Sequence, residues 1–314
     1  MTCESELQEI LREKLKRASV SMQREKTGVK RQKSNIATVD ILKVLGGAAE
    51  QTFDRLSVEE PLEIVLSGSF KRTDFSRVLA ATMRTPGNDE ELAVGFLLSE
   101  GIVSERADVR QIRKRGCNSI EIGLRPDLQV KFEDFDRHSV VNSSCGVCGK
   151  KSIESIMSRI AHSDMEGSIE TPMIRKSQTI DGRTISTLPI ALRYKQSDFE
   201  ITGGIHACAL FDLEGRLIEV REDVGRHNAL DKLIGSQLMA DNLPLDERVL
   251  LLSGRASFEL IQKAAAASVP IVAAVGAPSS LAVELAEKCN ITLLGFVRND
   301  RFNIYSGGER IVLE

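Results

Sequence analysis

The sequence predicts a layered α/β protein, and three observations predict it. The last third alternates short, continuous apolar runs with amphipathic stretches, the rhythm of strands and helices built into a sheet covered on both faces. Hydrophobic residues make up 42% of the 314-residue chain, enough for a substantial core. Aromatic residues are only 4% and Trp is absent, so aliphatic side chains must fill that core. The length suits one or two domains. The expected division is a flexible basic segment over 1–35, a smaller α+β subdomain over 36–140, and an α/β domain over 141–314 that opens with a mobile cysteine loop.

The elements follow in chain order. Residues 1–20 could form a charged helix, with Leu7, Ile10, Leu11 and Leu15 as one apolar stripe. Residues 19–35 are polar and basic, and folded material is expected from Ile36. Residues 61–66 alternate like a strand that Gly68 ends. Thr85-Pro86-Gly87-Asn88 is a turn and N-cap, and Asp89, Glu90 and Glu91 fill a first helical turn, where acids suit the dipole. The helix runs to Ser99 and stops at Gly101. Residues 109–124 read as two short strands around Gly116-Cys117-Asn118. After the cysteine loop, Ile153, Ile156, Met157 and Ile160 mark a helix.

Residues 183–192 and 205–220 read as strands, the second stretch folded at Asp212-Leu213-Glu214-Gly215. The polar run 221–228 opens a helix through Leu238. Three strands follow, over 249–252, 270–275 and 291–297, with helices between them. Their following turns are Ser253-Gly254-Arg255, Gly276-Ala277-Pro278-Ser279 and Arg298-Asn299-Asp300-Arg301. Right-handed crossovers would line these turns along the carboxyl edge of the sheet, where ligands bind in open α/β folds.

Net charge is −3 and the pI is about 6.0, which argues against a nucleic-acid or membrane footprint over the whole protein. The charge is uneven, because residues 1–33 hold nine basic and five acidic side chains. No stretch reaches the ~20 apolar residues that span a bilayer, and the N-terminus lacks the apolar core of a secretory signal. A cytoplasmic location is the expectation.

Six cysteines in such a chain do not make a disulfide scaffold. Cys117, Cys208 and Cys289 stand in apolar contexts and read as inert buried side chains. Cys145 and Cys148 form a local pair, in Asn142-Ser143-Ser144-Cys145-Gly146-Val147-Cys148-Gly149-Lys150. The glycines permit a tight, exposed backbone. Backbone N–H groups, a following helix start, Lys150 and Lys151 all favour thiolate over thiol. Four readings are open: a structural pair, half a zinc site, a dithiol redox pair, and a persulfide carrier in which a nucleophilic cysteine accepts sulfur and passes it on. The zinc reading needs two further ligands, from His138, His206 or a second chain, and none stands at standard spacing.

Other polar residues point toward the same edge. His206 follows two glycines at a strand start, and Asp223, Arg226 and His227 cluster near a helix start, with Asp223 and His227 spaced to pair. Arg255, Arg298 and Arg301 each follow a strand, where guanidinium groups suit phosphate oxygens. There is no phosphate-binding Walker sequence and no Gly-x-Gly-x-x-Gly. A His-x-Glu with Pro-Cys-x-x-Cys is also missing, so zinc deaminase chemistry has no support.

These blocks together resemble the FdhD family of formate dehydrogenase accessory sulfurtransferases. They are Glu60-Pro61-Leu62, Thr85-Pro86-Gly87 with the run 91–97, Ser144-Cys145-Gly146-Val147-Cys148-Gly149, Thr202-Gly203-Gly204-Ile205-His206-Ala207, the run 221–229, Ser253-Gly254-Arg255, the run 275–280 and the run 295–301. The resemblance implies a three-layer cytidine-deaminase-like α/β domain with a smaller α+β N-terminal subdomain, in a cytoplasmic homodimer. It implies sulfur transfer through a persulfide on Cys145, received from a cysteine desulfurase, with Cys148 resolving, relaying or protecting it. The acceptor would be the molybdenum (or tungsten) bis-guanine-dinucleotide cofactor of formate dehydrogenase, with a guanine nucleotide such as GDP as its analogue. The family's cofactor-binding run falls on Phe296, Val297, Arg298, Asn299, Asp300 and Arg301, to which Arg255 and His206 are added here. No resident metal, no nucleic-acid partner and no membrane association are expected. The alternative is a non-enzymatic chaperone that delivers the cofactor to the apo-dehydrogenase.

Overall fold

The structure is a computed structural model that describes residues 30–33, 35–70, 73–126, 128, 130 and 178–313. The 1–20 stripe, the cysteine loop with Cys145 and Cys148, and the 153–160 helix lie outside the described residues.

The chain enters through three strands, β1 (Lys30–Lys33), β2 (Ile36–Leu45) and β3 (Ala48–Ser57), paired antiparallel in that order. The first is a correction, since the basic segment was expected to be irregular up to residue 35. The β2–β3 hairpin was not foreseen either, because apolar residues stand on both of its faces and no clean alternation marks it. Four strands make a second sheet in the order β5-β4-β7-β6: β4 (Glu60–Phe70), β5 (Thr73–Arg84), β6 (Val109–Lys114) and β7 (Ser119–Leu124). β4 continues past Gly68, which pairs with Phe75 instead of ending the strand. The expected pair of strands around Gly116-Cys117-Asn118 is present as β6 and β7.

Helix α1 (Asp89–Ser99) starts where expected. Asn88 is its N-cap in the left-handed region, at φ 55°, and its carbonyl rather than its side chain bonds into the helix. The buried Arg84 grips Asp89 through two bonds of 2.8 and 3.0 Å and so fixes the turn before the helix.

Six strands form the main sheet, in the order β10-β9-β11-β12-β13-β14. They are β9 (His206–Phe211), β10 (Leu217–Asp223), β11 (Val249–Leu252), β12 (Ile271–Ala274), β13 (Thr292–Arg298) and β14 (Arg301–Ser306). β11, β12 and β13 are parallel, and the others are antiparallel to their neighbours. A short strand β8 (Ile180–Asp181) pairs with β15 (Ile311–Val312).

The segment expected as a strand over 183–192 is instead a helix, α2 (Gly182–Arg193). Thr184, Ile185, Thr187 and Pro189 argue locally against a helix. Burial overrides that preference: Asp181 caps the helix by accepting from the Arg183 amide, and Ile185, Leu188 and Leu192 share one buried face. Each such side chain contributes about 1.5–3 kcal/mol when fully buried. Helix α3 (Ser197–Thr202) follows, then α4 (Arg226–Met239), α5 (Phe258–Ala266) and α6 (Ser280–Lys288).

Alternation along the strands assigns the two faces. Ala207, Ala209, Phe211, Leu251 and Ala273 pack with α2, whereas Cys208, Leu210, Leu250, Val272 and Leu293 pack with α4, α5 and α6. The result is the predicted layered α/β arrangement. The second cluster continues through α1 into the four-stranded sheet, so both sheets share one core. Among the described residues no helix is long and apolar enough to cross a membrane. Of the cysteines read as buried, Cys208 is buried and Cys289 partly so, but Cys117 is exposed, because its turn between β6 and β7 faces solvent. Burial pushes the Cys208 and Cys289 thiols up, away from thiolate.

Candidate functional site

Parallel pairing of β11, β12 and β13 brings their carboxyl ends together, and backbone bonds knit the turns that follow. The Val275 amide donates to the Leu252 carbonyl at 3.0 Å, the Gly276 amide to Gly254 at 2.9 Å, and the Phe296 amide to Gly276 at 3.1 Å. Ala256 and Ser279 add two more such links. All three turns thus form one rim.

The antiparallel strand β9 begins at that rim. The Ser253 amide donates to the Ala207 carbonyl at 3.0 Å, and the Ala207 amide donates to the Ser253 hydroxyl at 2.9 Å. This seats His206 beside Gly254, where a Cβ on the glycine would meet the ring at 3.5 Å, an ordinary contact distance. Burial, reinforced by the charge of Arg226 and by His227, pushes the His206 imidazole below its ordinary value of 6.5. At neutral pH the ring is uncharged, with one nitrogen to donate and one to accept.

Asp223 and His227 do not pair. Asp223 ends β10 opposite His206, is fully buried, and faces Lys232 at 2.7 Å. It also accepts from the amides of Thr85 and Gly225 and from Asn228, so all its capacity goes into holding α4 against the turn before α1. His227 turns to α5, where its Nε2 lies 2.8 Å from Glu259 and 3.3 Å from the Ser257 hydroxyl. That hydrogen bond holds the Glu259 carboxyl below its ordinary range.

The third turn closes a hairpin. β13 and β14 pair Arg298 with Arg301, leaving Asn299 and Asp300 as a two-residue turn with Asp300 at φ 58°. Phe296 sits at a bulge with φ 55° and is partly exposed. Val297 is fully buried in the core cluster that includes α2, so its side chain is unavailable to a ligand. Arg255, Arg298, Asn299, Asp300 and Arg301 are exposed.

A cleft of about 860 Å³ opens at this rim, within the range of small-molecule sites. Of the expected site residues it brings together His206 and Asn299, beside Ser253 and Val275. Arg255, Phe296, Val297, Arg298, Asp300 and Arg301 stand outside its lining. Its other wall, from α2 and α3 with Arg193 and Phe199, was hidden from sequence reasoning once 183–192 was read as a strand. The only signal nearby was Gly203-Gly204, which lies on the cleft. Cys145, Cys148, Lys150, Lys151 and His138 lie outside the described residues. Among the described residues no group of three His, Cys, Asp or Glu side chains is placed to hold a metal ion.

The model of the FdhD/NarQ family matches residues 57–312. Over 282 residues the chain is 42% identical to the sulfur carrier protein FdhD of Streptomyces coelicolor, covering 87% of this chain and 94% of that protein. It is 46% identical over 267 residues to the protein of the same name from Mycolicibacterium paratuberculosis, covering 82% and 92%. Among solved structures, a protein assigned as a formate dehydrogenase accessory protein, from Desulfotalea psychrophila, superposes with a TM-score of 0.66 at 21% identity. That match covers 88% of this chain and all of the other, and shows that the two share a fold.

Proposed function

This chain belongs to the FdhD/NarQ family, and we propose on that premise that it is a sulfur carrier serving formate dehydrogenase. Cys145 is the acceptor. Its thiolate attacks the terminal sulfur of a persulfide on a cysteine desulfurase. The donor's S–S bond breaks, the donor thiolate leaves, and the new S–S bond on Cys145 stores the sulfur without net oxidation. Cys148, three residues further on, guards or relays it. The recipient is the guanine-dinucleotide cofactor of the dehydrogenase, handled as substrate at the carboxyl-edge rim by a cytoplasmic homodimer.

The observation that carries this reading is the 42–46% identity, over more than four-fifths of the chain, to proteins named as sulfur carriers. The rim chemistry supports it. A neutral His206 and the Asn299 amide offer hydrogen bonds to a heterocycle, and Arg255, Arg298 and Arg301 stand exposed at the turns, with charge suited to a pyrophosphate.

The test is intact-protein mass spectrometry after incubation with a cysteine desulfurase and cysteine. Wild type should gain one sulfur atom and Cys145→Ala none, and only wild type should restore formate dehydrogenase activity to cells lacking the carrier. Equal sulfur on Cys145→Ala would remove that residue from the reaction. Full activation by Cys145→Ala would favour simple delivery of the cofactor.

A further inference from the structure

Among the largest fully buried side chains is a charged one that the fold leaves half satisfied. Arg310 has no solvent contact. It ends a short 3-10 turn, Gly308–Arg310, between β14 and β15. Its Nη1 donates to the Thr292 hydroxyl at 3.2 Å, and that hydroxyl donates in turn to the Gly307 carbonyl at 2.6 Å. These bonds pin one end of the guanidinium. Nε and Nη2 are buried too, and among the described residues neither has a hydrogen-bond partner. Glu309 stands 3.8 Å from Nη1, the nitrogen already bonded, and is half exposed.

A buried charge without a close partner is strongly unfavourable, and arginine does not escape it by losing its proton. The unused nitrogens are also placed together. Nε and Nη2 share one edge of the guanidinium plane, the edge that grips two oxygens of a single anion side by side.

Gln178 supplies a second unused group, because its Oε1 is buried without a donor. Gln178 stands just ahead of β8 and Arg310 directly ahead of β15, and these two strands run parallel with Ile180 opposite Ile311. The unused acceptor and the unused donors therefore belong to the same end of one strand pair. An oxyanion that keeps a hydroxyl suits both. Two of its oxygens accept from the arginine, and its O–H donates to the amide oxygen.

The place is remote from the rim. Thr292 opens β13, and its amide donates to the Pro270 carbonyl just ahead of β12, so Arg310 stands at the amino edge of the parallel strands. The third turn lies at the other end of β13 (Thr292–Arg298), about 20 Å away.

We infer that Arg310 and Gln178 form a second anion site, fitted to a small oxyanion that carries a hydroxyl, bicarbonate or hydrogen phosphate, and independent of the cofactor rim. Bridging the two residues, the anion clasps β15 to β8.

The experiment is thermal melting of the full-length protein in HEPES at pH 8 and constant ionic strength. Sodium chloride is exchanged stepwise for phosphate in one arm and for bicarbonate in the other. The wild-type midpoint should rise saturably by a few degrees, and the arm that responds at lower concentration identifies the anion. Arg301→Ala, at the rim, should respond as wild type does. Arg310→Met removes the isolated charge at similar volume, so it should melt at or above wild type in chloride and show no response. Arg310→Lys keeps the charge without the fork and should respond roughly tenfold more weakly, and Gln178→Leu should be weakened as well. No saturable rise in wild type would overturn the site whether or not the variants fold. A rise that persists undiminished in Arg310→Lys, or that vanishes in Arg301→Ala, would assign the anion to the rim and overturn the site equally.

Discussion

Lys232 Nζ lies 2.7 Å from Asp223 Oδ2, with both side chains essentially without solvent contact, and Thr85 closes the arrangement by donating its amide to Asp223 and accepting from Lys232. The pair ties the end of β10 and the second turn of α4 to the distant turn before α1. Removing one partner strands a buried charge, which typically costs 3–5 kcal/mol. We expect Lys232→Met to lose about that much in urea unfolding. Asp223→Asn combined with Lys232→Met should lose much less than the sum of the single variants. Additive losses would mean that the two groups do not act as a pair.

A second joint is purely steric. A Cβ on Gly95 would lie 1.9 Å from the Asp231 carbonyl oxygen, and one on Gly235 would lie 1.9 Å from that of Glu91. Helices α1 and α4 thus cross backbone to backbone. Gly95→Ala and Gly235→Ala should each destabilise by about 1–3 kcal/mol or more, since backbone cannot give way as a flexible side chain can. The melting temperature should fall by several degrees for each. An unchanged midpoint for either would show that the helices can separate without cost.

These two joints show what was legible in the sequence and what was not. Asp223, Gly95 and Asn228 all stood inside blocks that the sequence marked as distinctive. Their partners, Lys232 for Asp223, Asp231 for Gly95 and Met83 for Asn228, lie outside those blocks and meet them only through the fold. The parallel strands β11, β12 and β13 were legible because each is a short, almost wholly apolar run, which leaves little choice. The α2 segment was not, since its β-branched residues and Pro189 favour extended chain and only the capping Asp181 and the burial of Ile185, Leu188 and Leu192 reverse that preference. The same error concealed half of the cleft. The paired arginines of the third turn were foreseen, but the hairpin that sets them opposite each other depends on β14, which no local signal marked.

The rim also fixes a pH response. His206 titrates below 6.5 because burial disfavours its charged form, with Arg226 and His227 adding to the effect. Its contribution to stability is therefore fully present above 6.5 and is lost as pH falls through the depressed value, where the folded protein finally takes up the proton. Glu259 titrates below 4.5, chiefly through its hydrogen bond with His227, and adds a second loss of the same sign at lower pH. With four histidines in the chain, NMR titration can follow each ring. The His206 midpoint should lie below 6.5 and move upward in Arg226→Gln. His206→Asn should flatten stability in the window just below 6.5, and Glu259→Gln in the window below 4.5. A His206 midpoint at or above 6.5 would contradict the burial that the geometry describes.

Arg298 and Arg301 face each other across the mouth of the β13–β14 hairpin, both exposed, on either side of Asn299 and Asp300. Like charges directly opposite on neighbouring strands destabilise the pairing. A structural role for the arginines would therefore be a poor use of the position, whereas an anion set between them converts the repulsion into two charge-assisted hydrogen bonds. The two roles separate experimentally. Arg301→Ala should leave the melting temperature of the free protein unchanged or slightly raised, because the repulsion is relieved. The same variant should bind GDP roughly ten- to a hundredfold more weakly, the effect of losing one charged phosphate contact. The slope of affinity against salt should also flatten, since fewer charges meet the phosphates. Under the proposed function, sulfur loading at Cys145 should survive, because that acceptance step involves no cofactor. Melting curves, calorimetry at two salt concentrations and the sulfur-adduct measurement on one variant decide the matter. Lower stability with unchanged GDP affinity would make the pair structural after all and remove the hairpin from the binding site.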